Sequence, residues 1–463
     1  MSLGSSGAPK APRIQQARLI AYDVIRAVRD SDAYANLLLP VRLARAALPA
    51  ADAALATELT YGTLRMQGYY DRVIALAARR DVDQIDPEIL DVLRLGVHQL
   101  LSMRVAAHAA VNESVALARQ VGSRSATGFC NAILREVGRY DAAEWRARVR
   151  KSAKNADEAL ALEYSHPTWV VRAFRKALVA EDRTGELTDL LEADNVGPKV
   201  NMAALPGLAT PPSETDRDTY SPIGFVLAGG DPAPLVAAHK GGIRVQDEGS
   251  QLVALTLTRA RPVHSGERWL DMCAGPGGKA AILAAEATLG GASLTANEVV
   301  PARLELVRRA LGPQADSVEL WERDARSIGE SNPDAFDRIL LDAPCTGLGA
   351  LRRRPEARWR KTPRDVAELT VLQAEMIDSA VRALKPGGLL AYVTCSPHPA
   401  ETRQQIEDAL RRWAGDLSVV DTAAAVRDVA ANPIDLAGPN DAAQLWPHRH
   451  GTDAMFVALL TKA

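Results

Sequence analysis

At roughly 150 residues per domain, a chain of 463 residues is expected to fold into about three domains. Hydrophobic residues make up 47% and charged residues 24%, a composition that fits a globular protein and excludes a strongly acidic disordered chain. The 55 Lys+Arg nearly balance the 57 Asp+Glu, and the formal net charge of −2 excludes a uniformly basic nucleic-acid coat protein but allows a local basic patch.

Residues 1–12, MSLGSSGAPKAP, read as a disordered leader, since no positive segment precedes an apolar core as in a secretory signal. Residues 13–150 read as an all-α domain, dense in Ala and Leu and poor in glycine as far as Tyr140. Asp86 can cap a helix, Pro87 fits its first position, and Glu88 suits the positive end of its dipole. Ile89, Val92, Leu93, Gly96, Val97, Leu100 and Leu101 then recur at helical spacing, which predicts a buried helix. Val111 to Arg119 has the same character, and Cys130 reads as core. The polar stretch from Asp141 to Lys154 predicts a linker or a solvated helix.

Residues 155–240 read as a middle α+β segment, in which Pro206, Pro211, Pro212, Pro222, Pro232 and Pro234 break long helices and Gly224 to Leu227 forms a strand. From 241 to 463, apolar runs at 269–272, 293–296, 318–321, 339–342 and 389–393 alternate with helical stretches. That alternation predicts an α/β domain with a parallel sheet, which binds ligands at the carboxyl ends of its strands. Four cysteines are too few for a disulfide scaffold, and none has zinc-ligand spacing. His448-Arg449-His450 near Asp453 lacks a suitably spaced third ligand, so no metal is expected. No apolar stretch approaches the ~18 residues that span a bilayer. The expectation is a cytoplasmic monomer without a membrane partner.

The strand ending at Asp271 leads into Cys273-Ala274-Gly275-Pro276-Gly277-Gly278-Lys279, with a helix following to about Glu286. Glycines let a ligand approach the backbone, and the helix N-terminus supplies N–H groups. A P-loop is excluded, because Cys273 stands where its first glycine belongs and Ala280 follows Lys279. Gly275, Gly277 and Ala280 do satisfy G-x-G-x-x-A, so a dinucleotide remains open by pattern. Glu298 is placed to bind ribose hydroxyls, and Asp324 to sit by the adenine edge. With Asp342 they form an acidic rim at successive strand ends, which favours a cationic sulfonium ligand, S-adenosylmethionine, over a diphosphate.

Cys345 and Cys395 each follow an apolar strand and so belong at the same edge. A lone cysteine is usually a small buried hydrophobe. Two beside a methyl-donor site suit one reaction class, in which a thiolate adds to carbon 6 of cytosine and makes carbon 5 nucleophilic. Lys279 can supply the positive charge that a thiolate needs, and Asp342 can contact the N3/N4 edge of the base. The residues themselves leave open which cysteine attacks. Residues 351–361 then carry six cations and one acid, with Trp359 among them. Arg352, Arg353, Arg354, Arg358, Trp359 and Arg360 are expected to bind RNA through phosphate neutralisation and base stacking.

DMCAGPGGK, LLDAPCTGLGALRRRPEARW and YVTCSPHPAETRQQI resemble motifs of the RNA cytosine-C5 methyltransferases. VQDEGSQLVA at 245–254 resembles the opening of that family's catalytic domain. LRLGVHQLL, AAVNESVALAR and GFCNAILREV resemble its helical NusB-like domain. Together they resemble the bacterial ribosomal small-subunit methyltransferase B family (RsmB, Fmu or Sun). The resemblance implies a Rossmann-like catalytic domain at 241–463 behind a NusB-like RNA-binding domain at 13–150, with 16S ribosomal RNA as substrate. It implies that Cys273 to Lys279, Glu298, Asp324 and Asp342 bind S-adenosylmethionine. It also implies that Cys395 is the nucleophile and that Cys345 assists product release. Gly275 stands where the family often has alanine, and Asp453-Ala454-Met455-Phe456 stands where it often has Asp-Gly-Phe-Phe. Two other classes remain in view, an NAD-dependent oxidoreductase and an RNA-binding factor without catalysis.

Overall fold

The computed structural model describes residues 15–31 and 33–463, so the expected leader at 1–12 lies outside the described residues. The chain forms two compact units. One is helical, runs to Val171 and takes in Arg352–Arg360; the other comprises Arg172–Leu351 and Lys361–Ala463. This differs from the expected division at 150 and 240, for two reasons of packing. Trp145 and Val149, on the helix Ala142–Lys151, bury themselves in the helical core, so this stretch is neither a linker nor wholly solvated. Ala203, Leu205 and Ile223 of the middle segment share a core with the α/β sheet.

In the helical unit, the signals around Asp86 act as read. Asp86 Oδ1 accepts the Glu88 N–H at 3.0 Å, and the helix Pro87–Leu101 buries Ile89, Val92, Leu93 and Val97. Gly96 admits a neighbouring helix, Arg124–Val137, because a Cβ there would lie 2.7 Å from Leu134 Cδ2. Cys130 is fully buried, and burial pushes its thiol up to about 12, as a core role requires.

In the second unit, β1 (Val200–Ala204), β2 (Gly224–Leu227) and β3 (Ile243–Val245) make a small antiparallel sheet in the order β2-β1-β3. The larger sheet holds β4 (Arg268–Asp271), β5 (Ser293–Asn297), β6 (Glu319–Trp321), β7 (Phe336–Asp342), β8 (Leu384–Thr394), β9 (Leu417–Val419), β10 (Ala443–Gln444) and β11 (Phe456–Lys462). Its order is β10-β11-β8-β7-β4-β5-β6, with β9 also paired to β11. Strands β4 to β8 are parallel, and β11 runs antiparallel to β8. Successive residues serve opposite faces. Trp269, Leu340, Ala391 and Val393 pack on one side; Leu270, Ile339, Leu341, Leu390 and Tyr392 pack on the other. Burial on both faces explains why these strands read as continuous apolar runs. The strand order reverses beside β4, which places a ligand crevice at its carboxyl end.

Arg338 on β7 is fully buried. Its guanidinium donates to the carbonyls of Leu257, Thr258, Arg261 and Pro262 and to Glu267 Oε2, closing the C-terminal end of the helix Glu248–Arg259. Burial alone would push the Glu267 carboxyl up, but the hydrogen bonds from Arg338 and Trp269 outweigh it and hold it at about 2. Among the described residues, no helix is long and apolar enough to cross a membrane.

Candidate active site

The loop after β4 is shaped by its glycines. Gly277 has φ +106°, a conformation open to glycine at little cost, and it caps the helix Gly278–Gly290. A Cβ on Gly275 would lie 2.2 Å from Glu298 Oε2, so the backbone here faces that carboxylate directly, and a side chain would require Glu298 to shift. The Ala274 N–H donates to Asn297 O at 2.8 Å, tying the loop to β5. Arg303 Nη2 donates to Gly275 O at 2.8 Å and lies 3.4 Å from Glu298. Glu298 is itself buried, whereas Asp324 is half-buried and paired with Arg326 at 2.6 Å, which holds its carboxyl below the usual range. Burial, then the charges of Asp271, Asp342 and Glu298, push the Cys273 thiol well up, so it stays a neutral part of the loop.

Two groups lie beneath this loop. Lys279 Nζ donates to Asp342 Oδ2 at 2.7 Å. Burial alone would lower the Lys279 pKa, but the Asp342 charge outweighs it, with Cys395 contributing in the same direction, and the ammonium is retained. Asp271 is 1% exposed, and its Oδ2 has no hydrogen-bond partner. Burial, and next the charge of Asp342, push its carboxyl up to about 7.

The two cysteines meet because β7 and β8 are parallel neighbours, with Asp342 opposite Val393. Cys345 and Cys395 follow these strands, and their Sγ atoms lie 3.4 Å apart as free thiols. The hydrogen bond to Cys395, and then burial, push the Cys345 thiol well up. Cys345 is therefore kept as a protonated thiol facing the Cys395 sulfur. Glu401 lies behind both loops, accepting the Thr346 N–H at 2.7 Å and the Ser396 hydroxyl at 2.6 Å. Gly349 closes the site from the C-terminal side. Its N–H donates to Cys395 O and its carbonyl accepts the Ala454 N–H, both at 2.8 Å. A Cβ on Gly349 would lie 2.1 Å from Ala454 O. The Asp453-Ala454-Met455-Phe456 stretch thus docks on Gly349, which in turn holds the Cys395 carbonyl.

The structure brings together the glycine loop, Lys279, Glu298, Asp342, Cys345 and Cys395 at one sheet edge. Of the residues expected to bind RNA, Arg352 and Arg358 are buried, and for these two the expectation is corrected. Arg352–Arg360 belongs to the helical unit. Arg358 is fully buried, and its Nη1 donates to Arg65 O at 3.2 Å and Ser165 O at 2.8 Å. Arg360 Nη2 donates to Val28 O and Ala33 O at 2.9 and 2.7 Å. Arg65 and Val28 lie at the C-terminal ends of the helices Ala50–Arg65 and Gln16–Asp30, where carbonyls lack helical partners. Arg352 is buried, and its carbonyl accepts from Arg65 Nη2. Trp359 lies over Gly68, where a Cβ would be 2.4 Å from its ring. Arg353 is half-buried and Arg354 exposed, with Arg354 and Arg360 both against the Tyr34 ring. His448 pairs with Glu186, and His450 accepts the Trp446 N–H. Among the described residues, no group of three or more His, Cys, Asp and Glu is placed to hold a metal.

Residues 260–461 match the family model of the 16S rRNA methyltransferases RsmB/F, and residues 15–139 match that of the NusB family. A Mycobacterium tuberculosis protein named as a methyltransferase is 45% identical over 463 residues, covering 99% of each chain. The ribosomal RNA small subunit methyltransferase B of Pseudomonas syringae is 30% identical over 470 residues, covering 96% of each chain. The crystal structure of PH0851 is similar in fold, with a TM-score of 0.77 at 23% identity, covering 98% of this chain and 100% of that one.

Proposed function

The chain belongs to the 16S rRNA methyltransferase RsmB/F family, and on that premise we propose that it transfers a methyl group from S-adenosylmethionine to carbon 5 of a cytosine in 16S ribosomal RNA. The observation that carries the reading is the pair of thiols 3.4 Å apart at the strand ends beside the Lys279–Asp342 pair. The cradle suits the methyl donor. The backbone of Gly275 faces the Glu298 carboxylate, and Cys273 to Lys279, Glu298, Asp324 and Asp342 are the residues that would hold it. When bound, S-adenosylmethionine supplies a methyl group on a cationic sulfur, which suits this acidic rim.

The residues then divide the work. Cys395 is the nucleophile in this reading: its Sγ lies 3.4 Å from the Cys345 thiol and within reach of the Lys279 charge, two neighbours that favour a thiolate. As thiolate it forms a bond to carbon 6 of cytosine, and the electron pair displaced from the 5,6 double bond makes carbon 5 nucleophilic. Asp342 holds the amine edge of the ring while Lys279 keeps that carboxylate in place. After methylation, carbon 5 loses its proton to solvent as the bond from carbon 6 to sulfur breaks. The Cys345 thiol donates a hydrogen bond to the departing Cys395 thiolate.

The test is transfer of labelled methyl from S-adenosylmethionine to unmodified 16S ribosomal RNA, followed by nucleoside identification, for wild type and Cys395→Ala. The expected result is label in 5-methylcytidine, lost in the variant. Label in another nucleoside, or label that survives in Cys395→Ala, would overturn the reading.

A further inference from the structure

Glu401 ends a short turn after β8 and is fully buried. Its Oε1 accepts the Thr346 N–H at 2.7 Å and Gln373 Nε2 at 3.4 Å. Its Oε2 accepts the Thr346 hydroxyl at 2.5 Å and the Ser396 hydroxyl at 2.6 Å. Gln373 Nε2 also donates to Pro344 O at 2.8 Å, and the Tyr392 hydroxyl fixes the Glu401 carbonyl at 2.8 Å. Thr346 directly follows Cys345, and Ser396 directly follows Cys395. None of these donors is a cation. A carboxylate is costly to bury unless hydrogen bonds replace its water. Here the replacements come from the two cysteine loops, so burying the carboxylate and closing the loops are one event.

We propose that Glu401 is the positioning residue of the two-cysteine site, holding the Cys345 and Cys395 loops at the spacing that lets one sulfur hydrogen-bond the other. The role in catalysis rests on the proposed function; the role in spacing does not. The two are separated by using disulfide closure as a ruler. Diamide takes two electrons and two protons from a pair of thiols, leaving a disulfide and the reduced hydrazine. Full-length wild type, Glu401→Ala, Glu401→Gln and Ser396→Ala are treated with diamide, and Cys345–Cys395 closure is timed by peptide mass mapping.

Closure is expected to slow about tenfold in both Glu401 variants and about threefold in Ser396→Ala, which keeps the Thr346 half of the clamp. In methyl transfer by Glu401→Gln, kcat is expected to fall about tenfold while KM for S-adenosylmethionine shifts less than about twofold. Unchanged closure in Glu401→Ala overturns the proposal whatever the activity. Should that variant not fold, unchanged closure in Glu401→Gln and Ser396→Ala overturns it equally. Slowed closure with unchanged kcat overturns the catalytic half. If wild type transfers no methyl group to RNA, the reading of the cysteines fails, and closure rates still decide the spacing.

Discussion

Cys345 and Arg352 stand close together in the chain, yet the two stretches around them use polar atoms in opposite ways. Around the cysteines, the buried Glu401 and Gln373 and the half-buried Lys279 take up the hydrogen bonds of loops and carboxylates, and the two sulfurs face each other at the strand ends. Around Arg358 and Arg360, the guanidiniums themselves are the filling, spent on carbonyls at helix ends. Arg338 in the sheet unit does the same for the helix Glu248–Arg259. The comparison teaches that a cation's neighbours decide its role. A guanidinium offers five donors in a rigid fork, and a helix C-terminus offers several orphan carbonyls. Where the two coincide, a basic run becomes structure.

That contrast predicts effects of different kind and size. Cys395→Ala should lower methyl transfer at least about 10³-fold with a small change in melting temperature, because a nucleophile is lost and, of packing, only one partly buried sulfur. Steady-state rates and calorimetry on the same preparation check it. Arg358→Met should do the reverse. Stranding the carbonyls of Arg65 and Ser165 should destabilise the helical unit by about 2–4 kcal/mol, read by denaturant unfolding. Unchanged stability there would return Arg358 to the list of candidate RNA ligands. Glu298→Gln should raise KM for S-adenosylmethionine about tenfold with a smaller change in kcat, the worth of about one charged hydrogen bond.

The last effect is one of pH and concerns Asp271. Its carboxyl is held at about 7 in the folded chain against 3.8 ordinarily. A raised carboxyl stabilises the fold below its unfolded pKa, and that contribution is lost as pH rises through the folded value. Wild type should therefore lose stability between pH 4 and about 7 relative to Asp271→Asn, by at most about 1.4 kcal/mol per pH unit. Asp218 and Glu181, also pushed to about 7 by burial, titrate in both proteins and cancel in the difference. Parallel stability curves for the two proteins would contradict the assignment.

The strands of the sheet unit were legible because burial on both faces leaves uninterrupted apolar runs, and the helix at Pro87 because its cap, proline and spacing agree. The glycine loop and both cysteines were legible because each follows such a run. The domain boundary was not, since nothing local reveals that Trp145 turns into the helical core or that Ile223 turns into the sheet core. Glu401, Gln373 and Gly349 were missed for a similar reason. Their partners come from β7 and β8 loops far apart in sequence, and a single Glu, Gln or Gly carries no periodic signal. Asp271 had one available signal, an acid at the end of a central strand directly before the glycine loop. The burial of Arg352 and Arg358 was not legible because composition reports charge and says nothing of helix ends nearby in space.

The central claim is that Cys395 attacks and Cys345 releases. The most direct measurement is peptide mass mapping of Cys345→Ala after incubation with S-adenosylmethionine and unmodified 16S ribosomal RNA. The account predicts a stalled RNA–protein adduct on the peptide that carries Cys395, absent when Cys395→Ala is added to the same chain. An adduct formed by Cys395→Ala alone and mapped to Cys345, or full turnover by Cys345→Ala with no adduct, would contradict it.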